Sequence, residues 1–146
     1  MATNQRLRIS LLLLRLGVFI VMLMWTLDKF VNPGHAAAVY ENFYMLGGLG
    51  PVVMYTIAAL ELLLVLAFVA GAFKRLTYGL VLLLHGISTL SSYAQYVSPW
   101  EPGNLLFFAA WPMLAACIAL YLLRESDTLL AFDSIKTSQR SPSRAA

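Results

Sequence analysis

The sequence predicts an all-helical membrane protein, a bundle of four spanning helices, and three observations lead to it. Of the 146 residues 60% are apolar and only 12% are charged, against roughly 45–50% and 25% in soluble domains. Four apolar stretches are each long enough to cross a hydrocarbon core of about 30 Å, which takes about 20 helical residues. The basic residues gather at the ends of those stretches on one side. A mean hydropathy of +0.76 excludes a disordered chain, a coiled coil and an ordinary soluble enzyme of this size, and the length leaves no room for a second catalytic module. A pI near 9.2 invites a nucleic-acid reading, but topology explains the Lys and Arg positions better. No nucleic-acid partner is expected. The single Cys117 excludes an internal disulfide and a CxxC redox centre.

The elements follow in order. The first span, Ile9–Leu27, opens after Arg6 and Arg8. A cleaved signal peptide is the rival reading, with Ala36-Ala37-Ala38 as the cleavage site, but the run is too long and contains Arg15, so a retained helix is expected. Asn32-Pro33-Gly34 marks a turn. The segment after it sets Ala36, Tyr40, Phe43 and Tyr44 on one helical face and Glu41 and Asn42 on the other, which predicts a short interfacial helix on the outer surface. Gly47-Gly48-Leu49-Gly50-Pro51 breaks the chain before the second span, Pro51–Phe73. A tight basic turn at Lys74-Arg75 leads to the third span, Leu76–Tyr96. After the stiff loop Ser98-Pro99-Trp100-Glu101-Pro102-Gly103 the fourth span runs Leu105–Leu123, with a kink expected at Trp111-Pro112. Residues 1–123 form the transmembrane domain, and 124–146 read as a polar tail, disordered from Ser134 onward. Eight of the ten basic residues, Arg6, Arg8, Lys74, Arg75, Arg124, Lys136, Arg140 and Arg144, then fall on one side. That side is expected to be the cytoplasm, with both termini in it.

Ionisable groups inside a span are expensive and usually functional, which singles out Arg15, Glu61 and His85. Helix rise places all three within a band one or two turns deep. Arg8, Arg15, Met22 and Lys29 recur every seven residues and form one stripe on the first helix. His85, Ser88, Ser92 and Gln95 make a second stripe that climbs the third. One reading pairs Arg15 with Glu61 as a charge-neutral lock between helices, with the serines as interhelical hydrogen-bond donors. The other makes Glu61 and His85 a proton-handling pair, because low dielectric disfavours the charged form of a carboxyl group or an imidazole. Hydrogen-bonding groups with a proton route to water are what a quinone site needs. Ser88, Ser92 and Gln95 would line that route, with Arg15 as the charge partner. Asp28 and Lys29 are the candidate recognition site on the outer face. Two-histidine haem ligation is not expected, since His35 and His85 lie far apart, and His85, Cys117 and Glu61 lack metal-ligand spacing.

Leu14-Arg15-Leu16-Gly17-Val18-Phe19 through Trp25-Thr26-Leu27-Asp28-Lys29-Phe30-Val31-Asn32-Pro33, with Ala59-Leu60-Glu61-Leu62-Leu63 and Gly71-Ala72-Phe73-Lys74-Arg75-Leu76, resemble the DoxX family of small four-helix bacterial membrane proteins. The resemblance covers roughly residues 9–123, with Arg15, Lys29, Pro33 and Glu61 as matching positions. It implies a bacterial inner-membrane location. It also implies a functionally mixed group that includes the membrane subunit of a thiosulfate:quinone oxidoreductase, members of oxidative-stress complexes and a branch that assists disulfide formation. One cysteine does not suit that last branch. The expected function is therefore a quinone-linked or otherwise redox-associated membrane subunit, surrounded by lipid and dependent on a protein partner or a homo-oligomer. No cofactor other than a quinone is expected, since no soluble domain is present to hold one. A non-catalytic assembly factor or scaffold is the alternative. Small-solute transport by an oligomer comes third, for want of inverted repeats.

Overall fold

A computed structural model describes residues 2–134, and every regular element among them is helical. Helix α1 spans Ala2–Val31, α2 Pro33–Tyr44, α3 Pro51–Val69, α4 Lys74–Ser91 and α5 Tyr93–Val97. A 3-10 helix, Asn104–Ala109, then runs into α6, Ala110–Leu122. Pro33 and Pro51 open α2 and α3 in the first turn, where a missing N–H costs nothing. Pro112 likewise falls in the first turn of α6. The expected kink is accordingly a change of winding from 3-10 to α ahead of it.

Three helical stretches are long and apolar enough to cross a membrane: Asn4–Val31, Pro51–Val69 and Asn104–Leu122. The expected span Leu76–Tyr96 is instead interrupted at Ser92 (φ −82°, ψ 21°), where α4 ends and α5 begins. The hydroxyls of Ser91 and Ser92 donate back to the carbonyls of Ile87 and Ser88, a local bond that competes with the helix and bends it.

Helices α1, α3, α4 and α6 close a ring, each packed on the next and α6 back on α1. The α2 helix lies across one end of it, against α1 and α3, with Ala36 buried, Tyr40, Phe43 and Tyr44 half-buried and Glu41 and Asn42 exposed. A packed core of Leu11, Val18, Phe68, Val81, Cys117 and Leu120 fills the opposite half, beside the α3–α4 turn. Large apolar side chains such as Leu13 (63% exposed), Leu60 (65%) and Leu122 (69%) cover the outside. A water-facing surface would not carry so continuous an apolar cover.

The segment after α6 departs from the expected polar tail. Residues 124–134 fold back onto the end of the ring: the Phe132 and Asp133 amides donate to the carbonyls of Ala70 (2.9 Å) and Gly71 (3.3 Å). The Asp133 carboxylate accepts from the Phe73 and Lys74 amides, both at 3.1 Å, and so satisfies the start of α4. The domain therefore extends at least to Ser134. The remainder of the expected disordered tail, with Lys136, Arg140 and Arg144, lies outside the described residues. Gly71 is required at this closure, because its φ is +61° and a Cβ there would meet Arg15 Nη1 at 2.7 Å and the Ala131 Cβ at 2.8 Å.

Candidate functional site

Two buried polar centres lie along α1, one at its middle and one near its C-terminal end. Arg15 and Lys29 stand 14 residues apart on its sequence, or about 21 Å along the axis. Each has a different acidic partner.

At the first centre Arg15 is wholly buried. Its Nη1 donates to Asp127 Oδ2 and to the Tyr78 hydroxyl, both at 3.2 Å, and Nη2 donates to the carbonyls of Leu129 and Leu130. Tyr78 in turn donates to Asp127 Oδ2 at 2.7 Å. Lys74 Nζ holds the Asp127 carbonyl at 2.7 Å and the Arg124 carbonyl at 3.3 Å. This corrects the expected Arg15–Glu61 lock. The carboxylate that neutralises Arg15 comes from the folded-back segment beyond α6, and Arg15 is not among the residues that line the cavity described below.

At the second centre Lys29 Nζ and Glu61 Oε2 form an ion pair at 2.8 Å, with side chains only 8% and 16% exposed. The Thr26 hydroxyl lies 3.3 Å from the same carboxylate oxygen, and Lys29 also donates to the Trp25 carbonyl at 3.1 Å. The Tyr40 ring lies 5.9 Å below the ammonium. Burial, followed by the Glu61 charge and Tyr44, pushes the Tyr40 phenol up to about 12. It therefore stays a neutral donor at any physiological pH. Asp28 and Lys29, expected to share an outer recognition surface, diverge, since consecutive helical residues point about 100° apart. Lys29 turns inward to Glu61. Asp28 stays at the surface, 2.7 Å from His35 Nδ1.

A cavity of about 990 Å³ includes the second centre in its wall and is lined by residues of α1, α4 and α6 beside α2. Its walls are mostly apolar. Lys29, Glu61, His85, Ser88 and Ser92 are the polar exceptions of interest. His85 Nε2 lies 3.0 Å from the Ala110 carbonyl; that oxygen can only accept, so Nε2 carries the proton in the neutral ring. The hydrogen bonds of Glu61 and His85 thus go to different partners, and the two groups share a cavity rather than a direct bond. Ser88 and Ser92 line it, but Gln95 does not, because the break at Ser92 takes α5 off the line of the stripe.

Four contributors are not singled out by the sequence. Tyr40 had been assigned only to an interfacial face. Thr26 sits three residues before Lys29, a spacing that could have drawn it into the stripe. Asp127 and Tyr78 carried no such signal. Among the described residues no cluster of three or more His, Cys, Asp or Glu side chains could hold a metal ion. Compared with protein-family models, curated proteins and solved structures, the chain matches none.

Proposed function

We propose that the ring crosses a bacterial inner membrane four times, with both termini cytoplasmic, and that the cavity between α1, α4 and α6 is a quinone site in the membrane subunit of a larger redox complex. The observation that carries this reading is the cavity itself: about 990 Å³, largely apolar, with the Lys29–Glu61 pair and His85 in its walls. Lipophilic ligand sites have this character, an apolar enclosure with a few placed polar groups. Lys29, Pro33 and Glu61, three of the four positions that carry the DoxX resemblance, fall at this end of the molecule, and α4 makes the fourth crossing despite its polar start. The α3–α4 turn, with Lys74 and Arg75, then lies on the cytoplasmic side.

A quinone held here would supply the redox chemistry of the complex. The chain's own residues bind and protonate. Lys29 offers a cationic donor to a ring carbonyl, His85 a second polar contact, and Glu61, held by Lys29 and Thr26, gives or takes the proton. Arg15 has no part in this step; its network with Asp127 locks the helices, which is the one feature that favours the scaffold reading.

Trp25 lines the cavity, so in protein whose other tryptophans, Trp100 and Trp111, are replaced by Phe its fluorescence reports occupancy. Titration of the purified protein with a quinone is expected to give saturable quenching. Glu61→Gln and His85→Ala should each weaken it about tenfold, the equivalent of one hydrogen bond to a buried acceptor. No saturable quenching, or full affinity in both variants, would discard the quinone site.

A further inference from the structure

The cavity follows α1 for about half of that helix. Its α1 wall runs through Leu14, Gly17, Val21, Trp25 and Lys29, a spacing that keeps to one helix face. From Leu13 to Lys29 it covers about 24 Å at 1.5 Å per residue, most of the thickness of a hydrocarbon core. The polar groups are not spread along that length. Lys29, Glu61 and Tyr40 stand at the α2 end, His85 and Ser88 come next, and the far end, where Leu13, Leu14 and Gly17 lie with Ala116 of α6, is apolar.

At the α2 end the rings of Phe43 and Phe107, both in the cavity wall, stack with centroids 5.6 Å apart. Along α1 the lining residues Leu13 (63% exposed), Leu14 (37%), Val21 (40%) and Trp25 (52%) reach the outer surface, so the cavity is open sideways along this helix, where the bilayer would stand. Gly17 lies in this stretch, and a Cβ added to it would meet nothing within 4 Å. The missing side chain leaves space in the channel rather than permitting a close helix contact.

Resting on the quinone reading, we propose that this cavity is a channel for a long isoprenoid chain. The chain lies along α1 and leaves toward the bilayer past Leu13 and Leu14, the ring stays beside Lys29 and Glu61, and Gly17 sets the bore. The ligand class is then a long-chain lipoquinone that enters laterally from the membrane, in preference to a chainless quinone arriving through water.

The test compares three benzoquinones with the same ring, carrying no chain, a decyl chain or a long isoprenoid chain, by Trp25 quenching on the protein in nanodiscs. With affinities expressed per mole of nanodisc lipid, so that partitioning into the bilayer cancels, the parent protein is expected to bind the isoprenoid compound at least about threefold tighter than the chainless one, a gain from packing in the channel because lipid is as apolar as the channel wall. Gly17→Leu, which fills the bore and favours helix, should remove most of that preference, weakening the isoprenoid compound more than the chainless one. Gly17→Ala should fall between. Equal affinity for all three compounds, or a Gly17→Leu variant that binds all three like the parent, overturns the channel and leaves the quinone site standing. Competition by a free fatty acid as effective as that by the isoprenoid quinone assigns the channel to membrane lipid and overturns it as well. Failure of all three quinones to bind removes the quinone site itself.

Discussion

Asp127→Leu is the sharpest probe of how the ring is closed. The carboxylate and the Arg15 guanidinium are both wholly buried and meet at 3.2 Å, while Tyr78 donates to the same oxygen at 2.7 Å. Removing the carboxylate strands a cation whose remaining neighbours are the Tyr78 hydroxyl and the carbonyls of Leu129 and Leu130. Breaking one side of a buried ion pair costs about 3–5 kcal/mol. Neither group is exposed, so solvent screening does not reduce that figure. Replacing both members, Arg15→Met with Asp127→Leu, removes the stranded charge and leaves only neutral groups short of partners, the Tyr78 hydroxyl of its acceptor and the Leu129 and Leu130 carbonyls of their donor, each of which costs less than an unpaired buried charge. The double variant should therefore be more stable than Asp127→Leu alone. Equilibrium unfolding in mixed micelles, run as a double-mutant cycle, measures both quantities. If Asp127→Leu lies within about 0.5 kcal/mol of the parent, or the double variant loses the sum of the two single losses, residues 124–134 do not lock the ring.

Two further outcomes are expected from the same geometry. Gly71→Ala should destabilise through its left-handed backbone, about 1–2 kcal/mol, and through overlap with Arg15 and Ala131, about 1–3 kcal/mol more; an unfolding midpoint equal to the parent's would show that the turn is not held as described. Lys29→Met combined with Glu61→Gln keeps the second centre neutral, so it should fold and unfold like the parent within about 1–2 kcal/mol while losing Trp25 quenching by quinone. Retained quenching in that variant would place the ring of the ligand elsewhere in the cavity.

How much was legible follows from what each feature depends on. Pro33 and Pro51 open helices, Gly47 to Gly50 separate them, and the outward leucines of α1, α3 and α6 are read directly from hydropathy, because these are local properties of consecutive residues. The inward turn of Arg15, Glu61 and His85 was legible for the same reason: an ionisable group in an apolar run has nowhere else to go, whereas Lys29, just past the first run, reads as an outer-face group and turns inward only in the structure. Their partners were not. The Arg15–Glu61 pairing rested on depth along helices assumed straight and equally placed, and a counter-charge lying beyond the last apolar run was treated as solvated. Likewise the Ser88–Ser92–Gln95 stripe assumed a helix unbroken through Ser92, whereas two serine hydroxyls bonded to the backbone end it.

The sequence by itself therefore determined where most of the helices run and that Arg15, Glu61 and His85 turn inward, since both follow from hydropathy and the cost of burial. Only the tertiary structure decided that Asp127 returns to neutralise Arg15, that Lys29 reaches Glu61, and that the space between α1 and α6 is left open past Gly17. Those outcomes depend on which distant residues meet when the ring closes, and Coulomb attraction between buried groups acts on that distance and not on separation along the chain.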